Sequence, residues 1–259
     1  MLKGLYTAWS GMINEQNRMD VMTNNLANAT TTGYKKEGTT SQSFDTVLAY
    51  RINDLSTGMN VSTRIGSNSP GVKIGENYVD HSQGSFKSTG NTFDLAIGGE
   101  GFFNVEFISK SGEKSVKYTR DGNFSINQFG QLVTKEGYNV MGQEGPIELG
   151  EDYFSQGAAL TVQNNGEIYV AGNYIDTLDM ANFEDMTSLT KQGDNLYTST
   201  GQRSEFTGSI LQNFLEVSNV NTVSAMVDMI TVARTYEMNQ KMIQTQDNLL
   251  GKAVNDLGL

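Results

Sequence analysis

LKGLYTAWSGMINEQNRMDVMTNNLAN, residues 2–28, reads as one long helix carrying a seam. Leu2, Leu5, Trp9, Met12, Gln16, Met19, Thr23 and Leu26 fall alternately three and four residues apart, the spacing that keeps one stripe against a partner helix along its whole length. At about 1.5 Å per residue such a helix spans roughly 40 Å. The same rhythm returns at the far end of the chain in Met226, Met229, Ala233, Tyr236, Gln240, Ile243, Asp247 and Leu250. Asn221 is a candidate N-cap for that second helix, predicted to run to about Asp256. Ser224 stands where a Glu or Gln would complete a capping box, so the helix start is expected to be weaker than usual.

Between the two ends the pattern changes. Gly33, after a polar Asn/Thr run, is placed to close the first helix in the left-handed conformation. From Gly38 to about Gly75, Ser, Thr and Asn and the turn Ser69-Pro70-Gly71 separate short apolar pieces, which predicts a linker with a few short strands. From His81 to about Phe206 the chain carries hairpin punctuation. Asp121-Gly122 divides Val116–Arg120 from Asn123–Ile126, and Asn165-Gly166 divides Leu160–Gln163 from Glu167–Val170. With no βαβ rhythm, antiparallel pairing is expected. The fold class read from these features is α+β: long N- and C-terminal helices pairing in a coiled-coil-like axial region, with a central antiparallel β-rich domain. The segments are 1–36 (assembly helix and turn), 37–81 (linker or extended segment), 82–206 (β domain) and 207–259 (C-terminal assembly helix).

Composition narrows the function. The chain has 259 residues and a formal net charge of -11, and the whole excess lies between the two ends, where 11 Lys/Arg face 22 Asp/Glu. Nucleic acid requires a basic footprint, so it is excluded as a partner. A mean hydropathy of -0.40 and the lack of an apolar run of about 20 residues argue against a membrane span. Asn14, Glu15, Gln16, Asn17 and Arg18 interrupt the first apolar segment, unlike the succession of a cleaved secretory signal. Without cysteine there is no disulfide, thiolate metal site or cysteine nucleophile.

The catalytic candidates are poor. His81 is the lone histidine and is predicted to occupy a polar loop. Gly98-Gly99-Glu100-Gly101 lacks the phosphate-loop spacing and reads as a turn. Asp121, Asn123 and Ser125 begin like a calcium loop, but Ile126 stands where glycine is required. A glycan hydrolase would need two carboxylates about 5–10 Å apart in an aromatic-walled cleft, and the sole tryptophan, Trp9, lies in the helical stripe. An adhesin-like binding module would leave the terminal repeats without a purpose. No catalytic residue, cofactor, metal or small-molecule substrate is therefore expected.

Several blocks resemble one family in order along the chain. Asn24-Asn25-Leu26-Ala27-Asn28-Ala29-Thr30-Thr31-Thr32-Gly33-Tyr34-Lys35 is similar to the signature of the bacterial flagellar rod and hook proteins. Ser82-Gln83-Gly84, the stretch from Asp94-Leu95-Ala96-Ile97 to Gly101-Phe102-Phe103, and Tyr118-Thr119-Arg120-Asp121-Gly122 match further, as do Val217-Ser218-Asn219-Val220-Asn221 and Arg234-Thr235-Tyr236-Glu237. By length and short middle domain the chain most resembles the basal-body rod proteins of the proximal and distal class, the distal favoured. The resemblance implies a structural subunit of the flagellar basal body, exported without a cleaved signal by the flagellar type III apparatus and polymerised helically. Its partners would be copies of itself, neighbouring rod and hook proteins and the export apparatus. The terminal helices would pack as the inner tube and the β domain would project outward. The expected assembly interface is Leu2, Leu5, Trp9, Met12, Met19, Asn24, Asn25, Leu26, Asn28, Met226, Met229, Ala233, Tyr236, Ile243 and Leu250.

Overall fold

The computed structural model describes residues 2–51, 63–109, 112–150, 160–193 and 195–257. Helices stand at both ends, Leu2–Ala27 and Thr222–Leu257, and every strand pairing described between them is antiparallel. The C-terminal helix begins as its cap residue requires, with the Ser224 amide donating to Asn221 Oδ1 at 3.0 Å. No described helix is long and apolar enough to cross a membrane.

The chain divides into two compact units. One gathers residues 1–26, 37–79 and 221–259; the other gathers 27–36 and 80–220. In the first, Glu37–Ser43 pairs with Val72–Val79, and Val47–Arg51 pairs with Thr63–Asn68. The segment expected as a linker with a few short strands is thus strand over most of its described length. A bulge falls between Thr39 and Ser41, where Thr40 Oγ1 accepts from the Glu76 amide and donates to the Glu76 carbonyl. This ribbon is fastened to the N-terminal helix by polar groups. Thr7 Oγ1 donates to the Pro70 carbonyl, the Val72 amide donates to Ser10 Oγ, and Asn14 Nδ2 donates to Ser41 Oγ at 2.9 Å. Ser10 and Asn14 are buried as a result.

Where the two helices meet, small residues face amides. Gly4 lies against the Gln246 side chain and Gly11 against that of Asn239. The numbers rise along one helix as they fall along the other, so the pair is antiparallel. Contacts at these points are amide on glycine rather than apolar knobs in holes.

The second unit is the β body. Its main sheet runs in the order Leu189–Lys191, Leu196–Ser199, Lys114–Thr119, Phe102–Ile108, Asn139–Val140, Leu132–Thr134, Phe124–Ile126. Phe102–Val105 is buried at four successive residues, which alternation on a one-faced sheet would not give. Phe103 and Val105 enter the main core with Leu95, Ile97, Phe124, Leu132, Val140 and Ile210. Phe102 faces the other way, into a smaller aromatic layer with Phe183 and Tyr197. The turn at Asn165-Gly166 does join paired strands, Leu160–Val162 and Glu167–Val170, with Gly166 at φ 95.

Asp121-Gly122 does not form a hairpin. Lys114–Thr119 pairs with Phe102–Ile108 and Leu196–Ser199, whereas Phe124–Ile126 pairs with Leu132–Thr134. The dipeptide is a corner between strands. Asp121 Oδ1 accepts from Thr32 Oγ1 at 2.7 Å and from the Asn123 amide at 3.1 Å, and a Cβ on Gly122 would stand 1.6 Å from the Leu95 carbonyl oxygen. Glycine is needed here for close backbone approach, not for a two-residue turn.

Candidate functional site: a buried ionic junction

Four separate stretches of the second unit meet at one carboxylate. Glu216, at the end of the strand Phe214–Glu216, is 2% exposed. Its Oε1 accepts from Lys35 Nζ at 2.6 Å and from the Gly84 amide at 2.8 Å. Oε2 accepts from Arg120 Nη1 at 3.2 Å. Lys35 also donates to the Ser82 carbonyl, and Arg120 Nη2 donates to the Gly99 carbonyl at 2.8 Å.

Backbone geometry forces these groups together. Gly33 sits at φ 67, in the left-handed region expected for it, and its amide donates to the Glu216 carbonyl at 2.9 Å. A Cβ there would lie 2.4 Å from the Asp121 amide nitrogen. On the next turn of chain, Tyr34 is buried beneath the Lys191 ammonium, 4.2 Å from the ring centre. Gly84 is just as tight, for a Cβ would stand 1.9 Å from the Val217 carbonyl oxygen. Asn219 completes the frame. Its Oδ1 accepts from the Lys36 amide at 2.7 Å, and its Nδ2 donates to the Asp80 and Ser82 carbonyls.

The electrostatics are those of a buried cluster with one cation in excess. Lys35 and Arg120 each have a proton affinity below the ordinary value, because burial disfavours the charged form more than Glu216 restores it. Such a cluster is held by geometry and hydrogen bonding, since desolvation takes back much of the Coulomb gain. His81 lies beside it, edge-on to Phe102 and Tyr197. Its pKa is lowered to about 4, first by burial and then by Lys35 and Arg120, and its Nδ1 has no hydrogen-bond partner. The expected polar loop position is therefore a loop position packed on aromatic rings. Asp121 is raised by burial, partly offset by Thr32.

The Glu216 carboxylate accepts three hydrogen bonds from within the chain, and among the described residues no group of three or more His, Asp or Glu could hold a metal ion. What it does is fix the chain just after the first helix to the chain just before the second. Sequence reading missed Glu216 as the centre, although Lys35, Arg120 and Asn219 all lie within the family-like blocks. Charged residues of opposite sign inside otherwise tight, glycine-bearing blocks were the available signal.

The helical residues expected to form an interface stand on several faces. On the N-terminal helix, Trp9 is 49% exposed, Asn24 is exposed, and Leu5, Met12, Met19 and Leu26 are half-buried. Asn25 is buried and pairs with Glu37 in both directions, Nδ2 to the carbonyl at 2.7 Å and Oδ1 from the amide at 2.8 Å. Asn28 is half-buried and accepts from Thr31 through its carbonyl and its side chain. On the C-terminal helix, Met226 is exposed while Met229, Ala233, Tyr236, Ile243 and Leu250 are half-buried. Ala225, Met229, Val232, Tyr236, Asn239, Ile243, Gln246 and Leu250 form a seven-residue repeat of covered positions, with Ala233, Thr235 and Ala253 covered beside it. Leu2 begins its helix. Outside these covered faces, Tyr6 and Ile13 on one helix and Val223, Val227 and Ile230 on the other are exposed apolar residues.

Comparison with known proteins matches this map. Three family models cover the chain in order: the flagella basal body rod protein model over residues 5–35, the flagellar hook protein FlgE/F/G D1 domain over 96–170, and the flagellar basal body rod FlgEFG protein C-terminal model over 211–257. Lys35, Arg120 and Glu216 come one from each. Among similar proteins, the flagellar hook-basal body complex protein FlhO of Bacillus subtilis is 32% identical over 100% of this chain and 99% of its own. The flagellar basal-body rod proteins FlgG of Borreliella burgdorferi and Caulobacter vibrioides are each 34% identical, over 98% and 96% of this chain and 98% and 97% of theirs.

Proposed function

Because the chain belongs to the flagellar basal-body rod family, we propose that it leaves the cell unfolded through the flagellar type III apparatus, without a cleaved signal, and polymerises helically with copies of itself into the drive shaft. The family is one of structural rod subunits of the flagellum and not an enzyme family, which sets the hydrolase reading aside. Of the two rod classes the distal is favoured; length and the short middle domain set the rod proteins apart from filament and hook subunits.

The observation that carries the polymerisation reading is the apolar surface left on both terminal helices. Tyr6, Trp9 and Ile13 are exposed on one, and Val223, Val227 and Ile230 on the other. Contiguous apolar faces of this kind mark protein interaction sites, and a contact between different patches of identical copies repeats without closing unless the rotation closes it. The coiled-coil-like axial region is then formed between subunits through those residues of the expected interface that the chain leaves exposed, Trp9, Asn24 and Met226, whereas Asn25, Met229, Ala233, Tyr236, Ile243 and Leu250 are already covered within the chain. Neighbouring rod and hook proteins continue the stack at either end. The amide-on-glycine contacts inside one chain leave those apolar faces for neighbours.

The test is a strain lacking the native subunit and supplied with this chain, from which basal bodies are isolated and imaged. Rods should form with the parent sequence and fail with Tyr6, Trp9 and Ile13 all changed to Ala. Intact rods in that triple variant would overturn the helical interface, and an adhesin-like module would instead show a chain that sediments as a monomer at every concentration.

A further inference from the structure

We infer that Met226, Met238 and Met242 are a peroxide-sensitive modification site, and that their oxidation to sulfoxide blocks subunit addition; the second part rests on the polymerisation reading above. The chain has 12 methionines and no cysteine. Among those with described side chains, only these three are exposed, at 50%, 60% and 51%. All three lie on the C-terminal helix. Counting in steps of four gives the ridge Met226, Ile230, Arg234, Met238, Met242, and residues four apart are neighbours on a helix surface. The three thioethers thus lie along one row that winds by about 40° per step round the exposed side of the helix, with exposed Ile230 next to Met226 on it.

The chemistry is that of an exposed thioether and a peroxide. The O–O bond of the oxidant breaks, one oxygen forms an S–O bond, the sulfur gives up two electrons, and water leaves. With no thiol in the chain to react first, the accessible thioethers are its foremost peroxide targets. The product is a polar, chiral group where an apolar, adaptable one stood. Burial of three such groups without partners opposes packing of the ridge against another copy. Oxidation acts on the subunit before it is incorporated, because incorporation covers the ridge.

The experiment treats the full-length purified chain with dilute hydrogen peroxide and maps added oxygen by peptide mass spectrometry over time. Met226, Met238 and Met242 should be modified first, ahead of the half-buried Met141 and Met180 of the β body. In a pelleting assay the oxidised chain should need at least ~10-fold more protein to assemble, the order expected for burying unpaired polar groups. Treatment with methionine sulfoxide reductases should restore the original threshold, and a chain carrying M226L, M238L and M242L should assemble alike before and after peroxide. Even modification across all methionines would overturn the site, and unchanged assembly of the oxidised chain would overturn its effect. An untreated chain that never pellets would instead overturn the polymerisation reading, while the mass map would still decide the site.

Discussion

Lys35 Nζ and Glu216 Oε1 stand 2.6 Å apart across 181 residues of chain. One belongs to the segment that leaves the first helix and the other to the strand that leads into the second. Both are almost wholly buried, so the pair cannot be traded for water without moving backbone. The junction therefore ties two distant stretches of the β body, residues 27–36 and the strand Phe214–Glu216, to each other.

Removing the carboxylate should be severe. Glu216→Ala leaves Lys35 and Arg120 as unpaired buried cations, and breaking a buried pair in this way costs about 3–5 kcal/mol. Glu216→Gln keeps an acceptor for the Gly84 amide and should lose less. Urea unfolding of the three proteins gives the ranking, and a Glu216→Ala chain as stable as the parent would show that the junction contributes nothing.

A second consequence concerns acid. Folding lowers the pKa of His81 from 6.5 to about 4, by burial first and then by Lys35 and Arg120. Between these values the unfolded chain binds the proton more readily than the folded one, so stability falls as pH drops through that window and is fully present above it. Asp80, held low by the Ser82 amide, acts in the same sense further down, while Asp121, raised by burial, acts in the opposite one. His81→Phe removes only the histidine contribution. Thermal unfolding of parent and variant should diverge below pH 6.5, the variant losing less, and parallel curves down to pH 4 would reject the assignment.

Gly84 offers a purely steric test. A methyl group there would meet the Val217 carbonyl oxygen at 1.9 Å, and the Val217 amide is itself bonded to the Ser85 carbonyl at 2.9 Å. The strands cannot separate without losing their pairing, so Gly84→Ala should cost about 2–4 kcal/mol, among the larger single-residue effects. Gly251, in the C-terminal helix with open space around its Cβ position, is the control, since Ala is well suited to a helix interior. Equal losses at the two positions would contradict the close approach.

How much of this was legible follows from the range of each signal. The helices declare themselves by periodicity and by Asn221, all local, and Gly33 declares its left-handed turn in the same way. Antiparallel order in the body follows from turn residues and the missing βαβ rhythm. The Glu37–Val79 ribbon is hidden because its inward groups are polar, so no apolar alternation marks it; Ser41 is read only once Asn14 is seen beside it. Asp121-Gly122 misled because a glycine needed for close approach to Leu95 looks the same in sequence as one needed for a hairpin. Glu216 is hidden for the plainest reason: its partners lie at residues 35, 84 and 120, and a lone glutamate is ordinarily solvated.

Trp9 separates stability from assembly. It is 49% exposed in the single chain, so Trp9→Ala should change the unfolding free energy by no more than about 0.5 kcal/mol, as for surface positions generally. If the residue is covered by a neighbouring subunit, emptying that site costs about 3–5 kcal/mol there. Normal melting together with failed rod formation is the expected pair of results. Motile cells carrying only Trp9→Ala would remove this residue from the interface.

Fragments test where the β body ends. Cutting at residue 206 removes Ser209–Gln212, which pairs with Leu95–Gly98 and sends the fully buried Ile210 into the main core. It also removes Glu216, and starting at residue 82 removes Lys35, so Arg120 would keep neither its carboxylate nor the neighbouring cation that shares it. A fragment of residues 82–206 therefore lacks a core strand as well as the junction, whereas residues 27–36 joined by a short flexible link to 80–220 keep both and lose only the terminal helices and the ribbon. This longer fragment should give dispersed amide spectra and sediment as a monomer. The shorter one should be markedly less stable, by more than the 2–5 kcal/mol of a single large core deletion, or fail to fold. Two fragments of equal stability would show that neither Ile210 nor the Lys35–Glu216 pair holds the body together.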